Sequence, residues 1–204
     1  MYDFSVTMAL VDFIPVILFA VSAVLMMRDF YYQLPKYGFA LLAAGTVDVF
    51  SAGFLKAVWK LLYAAGICNF EALNKLFLPT QSIGFLLAGI AMIILVSGKN
   101  GKKTTLMAVA PPLFEGTMVF ISMMVLGLGS ICTCLSVYAA KKKKAIAVPL
   151  FVLAFFGSMA MGYTARLDST AAWVNWTEQG INCFSQLCLM TGMIIIRKTS
   201  KKQA

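Results

Sequence analysis

Uncharged runs long enough to cross a bilayer recur along the chain, and nothing constrains its fold more. LFLPTQSIGFLLAGIAMIILVS (76–97) is one, and FIPVILFAVSAVLMM (13–27) is the charge-free part of another. About twenty such residues cover about 30 Å of hydrocarbon at about 1.5 Å per helical residue. The runs are continuous rather than alternating, so barrel strands do not fit. Helices remain, because an unpaired backbone group in lipid costs several kcal/mol. The composition agrees: 61% of residues are hydrophobic and 12% are charged, where a soluble domain carries roughly a quarter charged. The expected fold is an all-α, polytopic integral membrane protein embedded in a lipid bilayer.

Six spans follow, at 4–27, 37–58, 76–97, 112–138, 145–164 and 177–196. A seventh arises if 57–73 crosses, and TTLMAVAP (104–111) could extend a span before Pro111-Pro112. The basic linker at 98–103 divides the chain into two three-helix halves, 1–97 and 104–204, of one transmembrane domain. Setting 4–30 on 114–140 pairs Phe4 with Phe114, Thr7 with Thr117 and Leu25 with Leu135. Setting 76–95 on 174–193 pairs Gln81 with Gln179 and Met92 with Met190. With three spans per half, the expectation is an inverted repeat and a site at the midplane.

The net charge of +9 collects in KNGKK (99–103), KKKK (141–144) and RKTSKK (197–202). These clusters suit anionic headgroups, and no aromatic-interleaved basic surface argues for nucleic acid. Six spans with both termini in the cytoplasm put 11 Lys and Arg inside against 6 outside, which fixes the expected orientation. Compact size and minimal loops suit a bacterial inner membrane. The terminal KKQA and the sequon Asn175-Trp176-Thr177 would suit the endoplasmic reticulum in a eukaryote.

Chemistry in a membrane chain is sought first in its intramembrane polar groups, since a charge at a helix centre costs about 2.5–3.5 kcal/mol on insertion scales. Asp12 precedes Pro15, which loosens the preceding turn. Asp48 lies near a helix midpoint, on one face with Gly45, Ala52 and Lys56. Glu115 shares a seam with Ser122, Gly129 and Ser136. Asn175, Glu178, Asn182, Ser185 and Gln186 form a polar stripe in the last span, and Gln81 and Gln179 head two apolar runs. The candidate substrate-binding residues are therefore Asp12, Asp48, Gln81, Glu115, Glu178, Gln179, Asn182 and Gln186. With no histidine and no CxxC, no metal site, cofactor or catalytic set is expected, and the five cysteines read as small apolar packers. Lacking a nucleophile-and-base set, the chain ranks as an enzyme only after the binding and transport readings.

The expected function is a transporter or channel for a small polar or cationic solute. In outline, though by no motif, the chain is also similar to membrane subunits that capture vitamins for energy-coupling transporters. The ridge Ala154, Ser158, Gly162, Arg166 could then dock a partner membrane subunit or a second copy. An enzyme acting on lipid is the third reading.

Overall fold

The computed structural model describes residues 5–97, 117–164 and 172–197, and all eight of its regular elements are helices. They are α1 (Val6–Val11), α2 (Phe13–Phe30), α3 (Lys36–Ala64), α4 (Glu71–Lys75), α5 (Phe77–Ser97), α6 (Thr117–Lys141), α7 (Ala147–Thr164) and α8 (Ala172–Arg197). Five stretches are long and apolar enough to cross a membrane, with α1 and α2 together forming the first, and α7 supplies a shorter apolar helix. The chain is a polytopic helical membrane protein.

Local chemistry sets several boundaries. Ser5 opens α1 by accepting the Met8 amide at 3.2 Å, an N-terminal cap that occupies one otherwise unpaired donor. The break between α1 and α2 falls at Asp12. Pro15, three residues on, has no N–H to return to the preceding turn. Pro35 starts α3 from extended backbone. Residues 57–64 complete α3 rather than begin another crossing, and α4 lies at its far end as one short exposed piece. The seventh span anticipated at 57–73 is therefore absent.

Neighbouring helices follow chain order around a ring: α2 packs on α3, α3 on α5, α5 on α6, α6 on α7, α7 on α8, and α8 returns to α2. Lipid offers no hydrophobic drive between helices, so close packing must hold them together. Glycine supplies it. A Cβ on Gly45 of α3 would lie 2.5 Å from the Gly84 carbonyl oxygen and 2.6 Å from the Ala88 amide of α5. A Cβ on Gly89 of α5 would meet the Gly127 carbonyl oxygen of α6 at 2.7 Å. The α7–α8 contact uses Gly157 against Ser185 and Gly192 against Phe151. Gly162 and Arg166, expected on that ridge, lie outside the residues whose side chains are described.

The helix directions differ from expectation. Asp12 meets Lys60, so α2 begins where α3 ends. Lys56 lies over Phe77, so α5 begins there too. At the opposite end, Phe30 packs on Tyr138 with centroids 5.2 Å apart, and Tyr138 donates to Gln33 at 3.1 Å. That contact places the end of α6 beside the end of α2. Arg197 reaches Asp29 at 3.9 Å, placing the end of α8 there as well. Thus α2, α5, α6 and α8 run from the Val6 end of the bundle to the Arg197 end, and α3 and α7 run back.

The directions repeat as out, back, out in each half, so α2 and α6 are parallel. An inverted pair requires them to be opposed. The observed directions therefore do not have the opposed sense that an inverted pair would need. Residues Val6 and Arg197 stand at opposite ends of the bundle, whereas six alternating spans would put them together. Ser97 and Thr117 also stand at opposite ends of the bundle.

Two outcomes test this arrangement. With single cysteines in sealed vesicles, Thr117→Cys is expected to share the membrane side of the native Cys68, and Tyr32→Cys to react from the other side with an impermeant maleimide. Placing Thr117→Cys with Tyr32→Cys would restore alternating spans. Replacing Gly127 by Leu is expected to cost about 1–3 kcal/mol through overpacking, read as earlier thermal unfolding of the purified protein.

Candidate functional site

Hydroxyl side chains within the spans are mostly satisfied by their own helices. Ser22 donates to the Leu18 carbonyl, Thr46 to Leu42, Ser82 to Leu78, Ser158 to Ala154 and Ser185 to Ile181, all at 2.7–2.9 Å. Ser122 and Ser136, the hydroxyls of the expected α6 seam, bond back to Met118 and Cys132 in the same way. Such i−4 bonds spend each hydroxyl's single donor on its own helix and leave it only as an acceptor. The longer polar side chains behave differently, and they converge.

At the Val6 end, the start of α2, the last turns of α3, the start of α5, the last turns of α7 and the first turns of α8 surround a cavity of about 60 Å³. Asp12, Lys56, Lys60, Glu178, Gln179 and Asn182 supply its polar lining, and Val16, Gly53, Ala57, Phe77 and Met161 its apolar lining. Asp12 and Lys60 form an ion pair at 2.9 Å, with side chains only 13% and 7% exposed. Lys56 lies 4.0 Å from the centroid of the Phe77 ring, a cation–π contact, and within electrostatic range of Lys60, Asp12 and Glu178. Two ammonium and two carboxylate groups thus share one partly buried chamber.

Gln179 is 4% exposed, and its side-chain carbonyl oxygen has no hydrogen-bond partner among the described residues. The same holds for the Gln186 carbonyl oxygen two turns deeper. Gln186 and Asn182 line a second cavity of about 40 Å³ with Pro15, Phe19, Val49, Phe50 and Gly53. Successive turns of α8 therefore carry a polar seam inward from the chamber for about 10 Å, at about 1.5 Å per residue. It stops at apolar packing. Phe19 and Phe85 meet edge to face at 6.1 Å, and Phe30, Met92, Leu135 and Met193 are fully buried between there and the Arg197 end. The chamber belongs to one end of the bundle rather than to the midplane.

Of the residues expected to bind substrate, the structure brings Asp12, Glu178, Gln179 and Asn182 together and puts Gln186 next in depth. Asp48 lies apart from them on the α3–α5 contact, Gln81 on α5 lines neither cavity, and Glu115 is outside the described residues. The sequence reading missed Lys60, Phe77 and Met161 as site residues and placed Lys56 on the Asp48 face rather than in this chamber. The signal was present: FLKAVWKLLYA (54–64) puts two lysines on one helical face in apolar surroundings, and such a pair needs a counter-charge. The cysteines are all unpaired, and Cys68 is exposed, contrary to its reading as a packer. Trp173 and Trp176 are exposed, as expected of side chains at the membrane–water boundary.

No family model, curated protein or solved structure matches this chain.

Removing one partner of the ion pair strands the other. Lys60→Met is expected to destabilise the protein by about 3–5 kcal/mol. The double variant Asp12→Asn with Lys60→Met should lose less than the two single losses combined, as measured by reversible unfolding of all four forms in detergent.

Proposed function

We propose that the protein binds and carries a small dipolar solute bearing N–H or O–H donors, taking it up at the Val6 end of the bundle. The observation that carries this reading is the unsatisfied, buried carbonyl oxygen of Gln179 in a chamber with both signs of charge. A buried acceptor left unpaired costs about 1–3 kcal/mol, and a donor on a bound solute or water removes that cost. Glu178 and the Gln179 carbonyl would receive donor groups, while Lys56, on the opposite wall, would face the electron-rich end of the solute. Asp12 and Lys60 neutralise one another and set the frame.

Size supports a small solute. About 60 Å³ accommodates a few waters or a molecule of a few heavy atoms, well below the roughly 300–1,000 Å³ of pockets for drug-sized ligands. A vitamin would need a larger cavity than this conformation offers. The apolar packing toward the Arg197 end favours a carrier loaded from one side over an open channel.

Charge supports an orientation. Among the described residues, Lys56, Lys60 and Lys75 lie at the Val6 end, and Arg28, Lys36, Lys141 to Lys144 and Arg197 lie at the Arg197 end. The positive-inside rule then makes the Arg197 end, and with it the C-terminus, cytoplasmic and opens the chamber to the opposite side. The asymmetry is steeper than six alternating spans would give.

Thermal unfolding of the purified protein against a panel of small amines, amides and amino acids tests the reading. A solute that binds only the folded state is expected to raise the midpoint by several degrees at concentrations well above its Kd. Gln179→Leu and Glu178→Gln should lose that gain while still folding. If no compound shifts wild type, or if the shift survives both substitutions, the chamber is structural.

A further inference from the structure

Asp48 stands apart from the chamber, and nothing described so far uses it. It lies near the middle of α3, 12 residues after the first residue Lys36 and 16 before the last, Ala64. Its Cβ is 2.9 Å from where a side chain on Gly84 would begin, so it faces α5 at a glycine contact. The residue is half-buried. Among the described residues its carboxyl group has no ion-pair or hydrogen-bond partner.

The surroundings offer no counter-charge. α5, the element against it, contains no ionisable residue, and neither does α1. On α2 the ionisable groups, Arg28 and Asp29, lie at its Arg197 end, with Asp12 just before its start. α4 holds Glu71 and Lys75 in a mutual pair at 3.3 Å at the Val6 end. On α3 itself the nearest is Lys56, about 12 Å further along the axis, engaged with Phe77. An unpaired carboxylate cannot remain charged cheaply in hydrocarbon, whereas a carboxylic acid can reside there.

Gln81 gives the position a second feature. It comes four residues after Phe77, which covers Lys56, and three before Gly84, which meets Asp48. Helical register therefore puts Gln81 on the face of α5 toward α3, one turn from each. An amide, able to donate and accept at once, stands between the chamber wall and the midplane acid.

We propose that Asp48 is a proton-binding site inside the bilayer, carried as a neutral carboxylic acid at the α3–α5 contact, with Gln81 as the polar step between it and the chamber. Intramembrane acids of this kind mark proton relays. The assignment stands on Asp48 itself and does not depend on which solute the chamber holds.

A hydrophobic carbodiimide tests it, using the full chain in neutral lipid vesicles at pH 7. The carboxyl O–H adds across one N=C bond of dicyclohexylcarbodiimide to give an O-acylisourea. Acyl migration then yields the stable N-acylurea, so the whole reagent is retained and nothing leaves. Peptide mapping by mass spectrometry is expected to place the adduct on Asp48 with this reagent and not with a water-soluble carbodiimide, whereas exposed Glu71 should react with the water-soluble one. Asp48→Glu should keep the adduct, and Asp48→Asn should lose it. An unmodified Asp48 in wild type overturns the proposal, as does equal modification by both reagents, which would make it a water-facing carboxylate. Both readings come from wild type, so a variant that fails to fold leaves the test intact.

Discussion

The contact between Asp12 and Lys60 ties together more of this molecule than any other. It joins the α1–α2 break to the last turn but one of α3. Two charges removed from water repay their desolvation best in close, hydrogen-bonded geometry; here the groups are close, at 2.9 Å, while Asp12 Oδ2 lacks an aligned hydrogen bond among the described residues. Pro15 loosens the turn that presents Asp12. The same i, i+4 spacing that brings Lys60 to the carboxylate sets Lys56 against Phe77. From that corner the first turns of α8 face in, and the polar seam of Glu178, Gln179, Asn182 and Gln186 acquires a protein surface to line instead of lipid.

Much of this was legible in the residues and part of it was not. Helix existence followed from uninterrupted apolar length, and the discontinuity near Asp12 from Pro15. The polar face of α8 followed from three- and four-residue spacing. Relative direction did not follow, because it rests on contacts such as Phe30 with Tyr138 and Asp29 with Arg197, more than a hundred residues apart in sequence. Alternation was assumed across 98–116, and the whole inverted arrangement hung on that one step. Lys60 was misplaced for a related reason. Near the end of an apolar run a lysine reads as a flanking charge, and only its partner on another helix shows that it turns inward.

The sequence correspondences between the halves do not conflict with the observed directions. Matching α2 to α6 and α5 to α8 joins helices that run the same way and sit three places apart in the ring. The sequence pairing of Gln81 with Gln179 sets side by side two glutamines with different settings. Gln179 opens on the chamber, and Gln81 heads the helix that passes Asp48. The glutamine at the head of each run is one device in sequence with two settings in space.

The glycine contacts have a mechanical consequence. They fasten α3, α5 and α6 backbone to backbone, and glycine contacts likewise join α7 to α8. α2 has no such fastening: among its described contacts, the tightest glycine approach is Gly53 to the Val16 side chain at 3.3 Å. All three cavities described among these helices border α2 or the Asp12 turn that leads into it, including an apolar one of about 210 Å³ beside Ala20, Ala23, Thr46 and Phe50. None of the described glycine contacts tighter than 3.3 Å involves α2, and Pro15 loosens the turn at its start. The bundle thus has close glycine packing within α3, α5 and α6 and between α7 and α8, with α2, led by Asp12, held against both groups by side chains of ordinary size.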